Sequence, residues 1–152
     1  MTEALRTAET RRDDIVAYAR SIGITDAFIS QLVEAFYARV RSHPALGPIF
    51  DEAIGDDWDV HLGKMKDFWA SVALNAGRYS GRPVPAHQKL TQVNANHFAV
   101  WIGLFEATLR DIAPQAETVD YFMERAERIA RSLQLAMFGA QEIVQARREA
   151  EK

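Results

Sequence analysis

The sequence predicts an all-α protein that folds as a single domain. Apolar residues recur at steps of three and four along several long segments, which is the period of an α-helix with one buried face. Prolines and glycines stand between these segments, and no stretch alternates apolar and polar residues as a strand would. The 152 residues, 48% of them hydrophobic, suit one domain of five or more helices that buries roughly two-thirds of its unfolded surface.

Two helices are predicted before residue 43. Residues 1–12 are expected to be frayed or loosely helical, and a first helix to run from Arg12 to Ser21 and stop near Gly23. Thr25-Asp26 is typical of a helix start, because a threonine hydroxyl can accept a bond from a free backbone N–H. The second helix is expected to end at about Ser42, and its apolar stripe consists of Phe28, Ile29, Leu32, Val33, Phe36, Tyr37 and Val40.

The middle of the chain predicts a compact corner and one long helix. Residues 46–50 form a short apolar corner that is expected to end at Phe50, and Gly55 breaks the chain again. Asp56-Asp57 then favours a helix start, since acidic groups suit the positive end of the helix dipole. This helix is expected to reach about Ala76, with an apolar face of Trp58, His61, Leu62, Met65, Phe68, Trp69, Val72 and Ala73.

A proline-framed histidine follows. Pro83 and Pro85 cannot both lie inside a helix, because each lacks a backbone donor and has a fixed φ. Proline is well tolerated in the first helical turn, so Pro85 is expected to open a short helical segment with His87 in its first turns. One histidine is thus presented rigidly between long helices, and our hypothesis is that His87 holds a haem iron with the other helices around the cofactor.

Two further helices complete the predicted domain. The first begins at Asn94 or Asn96 and is ended by Pro114; the last covers about Glu117 to Gly139, and a charged, frayed tail follows. Their predicted inward residues are Phe98, Trp101, Ile102, Phe105 and Leu109, then Val119, Phe122, Met123, Ala126, Ile129, Ala130, Leu133 and Met137.

The composition excludes several classes of function. There is no cysteine, so disulfides, thiolate metal sites and covalently attached haem are ruled out. A formal net charge of −3 gives no basic footprint for nucleic acid. The polar N-terminus does not resemble a secretory signal, and no apolar run is long enough for a membrane span, so a cytoplasmic protein that binds no membrane is expected.

Three polar side chains are predicted to point into the core from separate helices: Tyr37, His61 and Trp101. A buried polar group without a partner costs on the order of 1–3 kcal/mol. These groups either satisfy one another or backbone carbonyls, or they surround a polar guest opposite His87. A two-metal carboxylate site is excluded because Trp58 and Val84 occupy the positions where glutamates would be needed. His43 is expected to be exposed at a helix end and His97 to lie on the polar side of one, and neither is assigned a function.

Several segments together resemble the third group of the truncated haemoglobins, within the globin superfamily. The segments are Phe36-Tyr37-x-Arg39-Val40, Leu46-Gly47-Pro48-Ile49-Phe50, Trp58-x-x-His61, Phe68-Trp69, Tyr79-x-Gly81-x-Pro83-x-x-x-His87, Phe98-x-x-Trp101-x-x-Leu104-Phe105 and Arg125-Ala126-x-x-Ile129-Ala130. Their order and spacing carry the resemblance, which covers about residues 25–138. The first two groups typically carry paired glycines, and this chain has no Gly-Gly dipeptide.

The resemblance implies a globin-like, shortened two-over-two helical sandwich around haem b. It implies His87 as the proximal iron ligand, and Tyr37, His61 and Trp101 as the catalytic groups around the opposite, distal face. Other residues near the haem would be Phe50, Lys64, Met65, Phe68, Tyr79, Arg82 and Phe98, with Lys64, Tyr79 and Arg82 near the propionates.

Three functions are then open. The first is a haem enzyme, such as an NO dioxygenase or a peroxidase-like protein, that acts on O₂, NO or peroxide as a monomer with an external reductase. The second is an oxygen carrier, store or gas sensor, which binds O₂, NO or CO without turnover. The third is a helical protein whose aromatic residues form an ordinary core without haem.

Overall fold

A computed structural model of the chain describes residues 3–78, 87, 92–139, 148 and 150, with side chains from residue 9 onward. The described part contains helices and connecting turns and no strand, which confirms the all-α prediction. The helices are α1 (Glu3–Ser21), α2 (Asp26–Ser42), α3 (Leu46–Ile54), α4 (Trp58–Leu74), α5 (Ala95–Ile112) and α6 (Ala116–Phe138).

Helix α2 occupies the centre of the fold. It contacts α3, α4 and α5, while α6 packs on α5 and α1 packs on α4. The pairs α2–α4 and α5–α6 are therefore joined where α2 meets α5. The largest side chains that are almost fully buried, Phe36, Phe105 and Phe122, come from α2, α5 and α6, so the core lies between these pairs.

Helix α1 is longer than predicted. It begins at Glu3, so residues 3–11 are helical rather than frayed. This segment is rich in Ala, Glu and Arg, which favour helices intrinsically. The end of α1 is as expected, because Gly23 follows it at a positive φ of 90°.

The predicted corner at residues 46–50 is wrong, since α3 runs through Phe50 to Ile54. Pro48 is the third residue of this helix, where a missing N–H breaks no intrahelical bond. His43 is half-buried rather than exposed, and its Nδ1 accepts hydrogen bonds from the backbone N–H groups of Ala45 and Leu46 at 3.1 and 3.3 Å. His43, which lies before the helix, thus satisfies two backbone N–H groups at the start of α3.

The start of α5 and the end of α4 are fixed by their local contacts and backbone geometry. Helix α5 starts after Asn94, whose side chain accepts from the N–H of His97, while His97 Nδ1 accepts from the N–H of Asn94. Helix α4 ends at Leu74 rather than Ala76, because Asn75 adopts a left-handed φ of 53°. None of the helices in the described ranges is long and apolar enough to cross a membrane.

Candidate functional site

Tyr37 is the innermost of the predicted polar residues. It lies on the face of α2 that looks toward α3 and α4, and it is 5% exposed. Burial raises the pKa of its phenol far above the ordinary value, so the hydroxyl stays protonated at neutral pH. Its ring packs edge-on against Phe50 of α3, with centroids 6.0 Å apart. Tyr37 therefore offers a fixed O–H donor inside the helical core.

His61 of α4 is in direct contact with Tyr37. The ring centroids are 5.1 Å apart and the planes are perpendicular. The imidazole as a whole is half-buried, but its Nε2 is buried and has no hydrogen-bond partner among the described residues. Burial, and then the positive charges of Lys64 and His87, lower the pKa of His61. The ring is therefore neutral at pH 7 and carries an unsatisfied polar atom beside Tyr37.

Trp101 of α5 reaches the same region through an aromatic stack. Its ring lies edge-on to Phe36 at 5.2 Å and stacks on Phe105 at 5.5 Å. Phe105 also stacks on Trp69 of α4, with ring centroids 4.9 Å apart. Phe36 in turn meets the ring of Tyr37 at 5.0 Å. Trp101 is thus linked to Tyr37 through one intervening ring, whereas Tyr37 and His61 touch directly.

His87 is helical and half-buried. Its charge is one of the causes that lower the pKa of His61, which places the two imidazoles within electrostatic range of each other. Residues 79–86 and 88–91 lie outside the described part, so the predictions for Tyr79, Arg82 and the role of Pro85 are not tested. Among the described residues, no group of three or more His, Cys, Asp or Glu side chains could hold a metal ion.

Comparisons with known proteins show which family the chain resembles. No protein-family model matches the chain. The group 3 truncated haemoglobin of Campylobacter jejuni is 36% identical over 118 residues, which cover 76% of this chain and 92% of that protein. The crystal structure of the group III truncated haemoglobin of the same species superposes with a TM-score of 0.72 at 35% identity, over 76% of this chain and 92% of that one.

The chain belongs to the group 3 truncated haemoglobins.

Family membership implies a haem cofactor and small gaseous ligands, and the described residues of this truncated haemoglobin fit such a group. The Nε2 of His61 is buried and has no hydrogen-bond partner among the described residues, so a bound polar ligand would satisfy it. Several apolar side chains on α4 and α5 are only partly buried, although they pack against the main core. These half-buried apolar residues include Leu62, Met65, Phe68, Trp101 and Ile102. A flat, largely apolar cofactor would cover such surfaces.

Not every predicted wall residue of the truncated haemoglobin meets the distal group. Phe98 is 8% exposed and packs with Ala130 and Leu133 in a separate apolar cluster, with its ring 6.0 Å from that of Phe138. Lys64 is exposed, and its described link to the site is its charge on His61. The haem-contacting roles of these two residues stay predictions.

Sequence reasoning missed the part played by Trp58. It was expected on the apolar face of α4, and it is 7% exposed. The structure also brings its ring against both Tyr37, at 6.0 Å, and His61, at 5.7 Å. The spacing Trp58-x-x-His61 carried the signal, because residues three apart on a helix are neighbours.

Proposed function

We propose that this truncated haemoglobin holds haem b through His87 and binds O₂, NO, CO or peroxide on the opposite face for redox chemistry. The observation that carries the proposal is the buried Nε2 of His61, which has no hydrogen-bond partner in the described part of the chain and belongs to a ring that packs on that of Tyr37. An unsatisfied polar atom in a core costs free energy, and a polar ligand would recover it. When bound, the haem supplies an iron with one open position for such a ligand.

The distal residues would act as hydrogen-bond donors. The pKa of Tyr37 is raised by burial, so its hydroxyl is available as a donor across the physiological range. The Trp101 indole can only donate, and neutral His61 carries one N–H and one acceptor nitrogen. A donor to a charged acceptor is worth about 1.5–3 kcal/mol, or roughly 10–150-fold in affinity.

Two or three such donors would make O₂ leave slowly, which suits turnover better than delivery. The reactions that this pocket supports are dioxygenation of NO to nitrate and reduction of a peroxide, with an external reductant supplying electrons. His61 would hold or move a proton at Nε2, since its lowered pKa keeps the ring neutral at pH 7, with one N–H and one acceptor nitrogen. We further infer that the protein acts as a monomer.

The pocket walls and propionate contacts belong to the same proposal. Phe50 would pack on the haem from α3, while Met65 and Phe68 of α4 are half-buried and would form a wall. Phe98 would contribute from α5. Lys64, Tyr79 and Arg82 would meet the propionates by charge and hydrogen bonds.

Haem binding is tested with the absorption spectrum. The protein reconstituted with haemin is expected to show a Soret band, and His87→Ala to lose the band or bind haemin much more weakly. His97→Ala is a matched control, since His97 caps α5 through its Nδ1. An unchanged band and affinity in His87→Ala would reject the proposed iron ligand.

Turnover is tested with the O₂ dissociation rate and with reaction of the O₂-loaded protein with NO. We expect slow O₂ release and fast reaction, and a loss of both in the triple variant Tyr37→Phe, His61→Leu, Trp101→Phe. Equal reaction rates with NO and peroxide in the two proteins would reject the redox mechanism. Fast O₂ release with slow autoxidation would instead support a carrier, store or sensor.

A further inference from the structure

Trp58 lies where α2, α3 and α4 meet. It is the first residue of α4, and its Nε1 donates a hydrogen bond to Asp51 Oδ1 of α3 at 3.1 Å. The guanidinium carbon of Arg41, from the last turn of α2, lies 4.3 Å from the centroid of the indole ring. Arg41 Nε is also 3.7 Å from Asp51 Oδ1. The indole of Trp58 is thus held by a hydrogen bond to Asp51 and by a cation–π contact with Arg41, and these two residues lie close to each other. We call this set the Arg41–Asp51–Trp58 clamp.

The other side of the same indole meets the distal residues. Its ring centroid is 6.0 Å from that of Tyr37, with planes at 63°, and 5.7 Å from that of His61, with planes at 87°. Since Tyr37 and His61 are themselves in contact at 5.1 Å, each of the three rings touches the other two. The imidazole is therefore bounded by Tyr37 on one side and by Trp58 on another.

The start of α4 depends on contacts of this kind. Asp57 occupies the N-cap position but makes no side-chain capping bond. The first backbone N–H groups of a helix have no intrahelical partner, and the Asp57 side chain does not satisfy them here. His61 stands one turn after Trp58, and its orientation therefore follows from how the first turn of α4 is fixed to α2 and α3.

We propose that Trp58 is a positioning residue: the Arg41–Asp51–Trp58 clamp fixes the indole, and the indole holds His61 and Tyr37 in their donor orientations. This inference rests on the proposed function, in which those two side chains face the bound ligand. If Trp58 were only a core residue, its replacement would lower stability and leave the distal donors as they are. If it positions them, its replacement changes the hydrogen bonding that the ligand experiences.

The test uses the haem-loaded protein and two measurements, the O₂ dissociation rate and the C–O stretching band of the CO complex. The band reports on hydrogen bonds to the ligand, which a loss of stability alone would not move. Trp58→Leu is expected to release O₂ about tenfold faster or more, the loss of roughly one donor to a charged acceptor, and to shift or split the C–O band. Phe28→Leu is the matched control, because Phe28 is equally buried at 7% exposure and its ring contacts Phe122 instead.

A second pair of variants tests the clamp. Asp51→Asn keeps a side-chain oxygen that accepts from the indole N–H, whereas Asp51→Leu removes it. We expect Asp51→Asn to keep the single C–O band and slow O₂ release of the unmodified protein, and Asp51→Leu to behave like Trp58→Leu. Trp58→Phe, which keeps a ring but loses the N–H, should release O₂ at a rate between those of Asp51→Asn and Asp51→Leu. The Asp51 pair and Trp58→Phe decide the question if Trp58→Leu does not fold.

The inference is overturned if Trp58→Leu, or Asp51→Leu in its place, keeps the O₂ dissociation rate and the C–O band of the unmodified protein. Failure of the proposed function gives a different result: His61→Leu and Tyr37→Phe would then also leave both measurements unchanged. A large effect of those two variants together with no effect in the clamp would overturn only the role of Trp58.

Discussion

The unsatisfied Nε2 of His61 predicts that His61→Leu makes the folded protein more stable while it weakens O₂ binding. The atom is buried and has no hydrogen-bond partner among the described residues. An unsatisfied buried polar group costs on the order of 1–3 kcal/mol. Because the imidazole as a whole is only half-buried, the lower end applies, and we expect the free energy of unfolding to rise by about 1 kcal/mol.

The same substitution should accelerate O₂ release. A donor to a charged acceptor is worth about 1.5–3 kcal/mol, which corresponds to roughly 10–150-fold in affinity. His61 would share the ligand with Tyr37 and Trp101, so its removal alone is expected to give about a tenfold faster rate, near the lower limit. Stability and function therefore move in opposite directions at this position.

Urea denaturation at neutral pH measures the first effect and stopped-flow O₂ dissociation the second. His97→Leu is the matched control, since it also removes an imidazole from a helix. His97 Nδ1 accepts from the N–H of Asn94 at 3.0 Å, so this variant should lose about 1 kcal/mol through its cap and leave O₂ release unchanged.

A destabilised His61→Leu would refute the reasoning, because it would mean that Nε2 is satisfied in the folded protein. So would equal stability combined with an unchanged O₂ dissociation rate, since the imidazole would then neither cost free energy nor contact the ligand.

Three further outcomes are expected. Gly47→Ala should lower the free energy of unfolding by roughly 1–3 kcal/mol, because a Cβ there would lie 2.5 Å from the backbone oxygen of Arg41; urea denaturation measures this, and unchanged stability would contradict the close approach. Tyr121→Phe should cost about 1 kcal/mol in the same assay, since its hydroxyl donates to Ala73 O at 2.7 Å near the end of α4, and a neutral result would contradict that bond. The pKa of His61 is lowered from 6.5 in the folded protein, so the unfolded state binds more protons, and stability is lost as the pH falls through 6.5 toward the folded-state pKa. His61→Leu should lose less stability over that range. Parallel profiles of unfolding free energy against pH for the two proteins would contradict this.

The sequence predicted most helices because their buried faces repeat with the helical period. It failed where another signal governs the structure. Residues 3–11 are helical through intrinsic propensity, which leaves no apolar stripe to recognise. Residues 46–50 were predicted as a corner that ends at Phe50, but Pro48 in the first turn is compatible with a helix, and α3 continues through Phe50.

The candidate site was predictable as a set of residue types and not as a set of contacts. Periodicity placed Tyr37 and His61 on inward faces, and the structure puts their rings 5.1 Å apart. The capping by His43 and the bond from Trp58 to Asp51 join residues of successive elements through side-chain geometry. Helical periodicity says which face a residue occupies, and it does not say which neighbour that face meets.

Each distal donor contacts at least one aromatic ring from another helix. Trp101 leans on Phe36 and Phe105, and His61 is bounded by Tyr37 and Trp58. Rings in such contacts lose little further freedom when a ligand binds. The entropy cost of ordering the donors therefore arises on folding rather than on binding. In the proposed role of Trp58, the surrounding rings hold the imidazole while its Nε2 has no hydrogen-bond partner among the described residues. The same rigidity makes the Arg41–Asp51–Trp58 clamp decisive. Loosening Trp58 would let His61 recover its hydration, and the ligand would lose a donor.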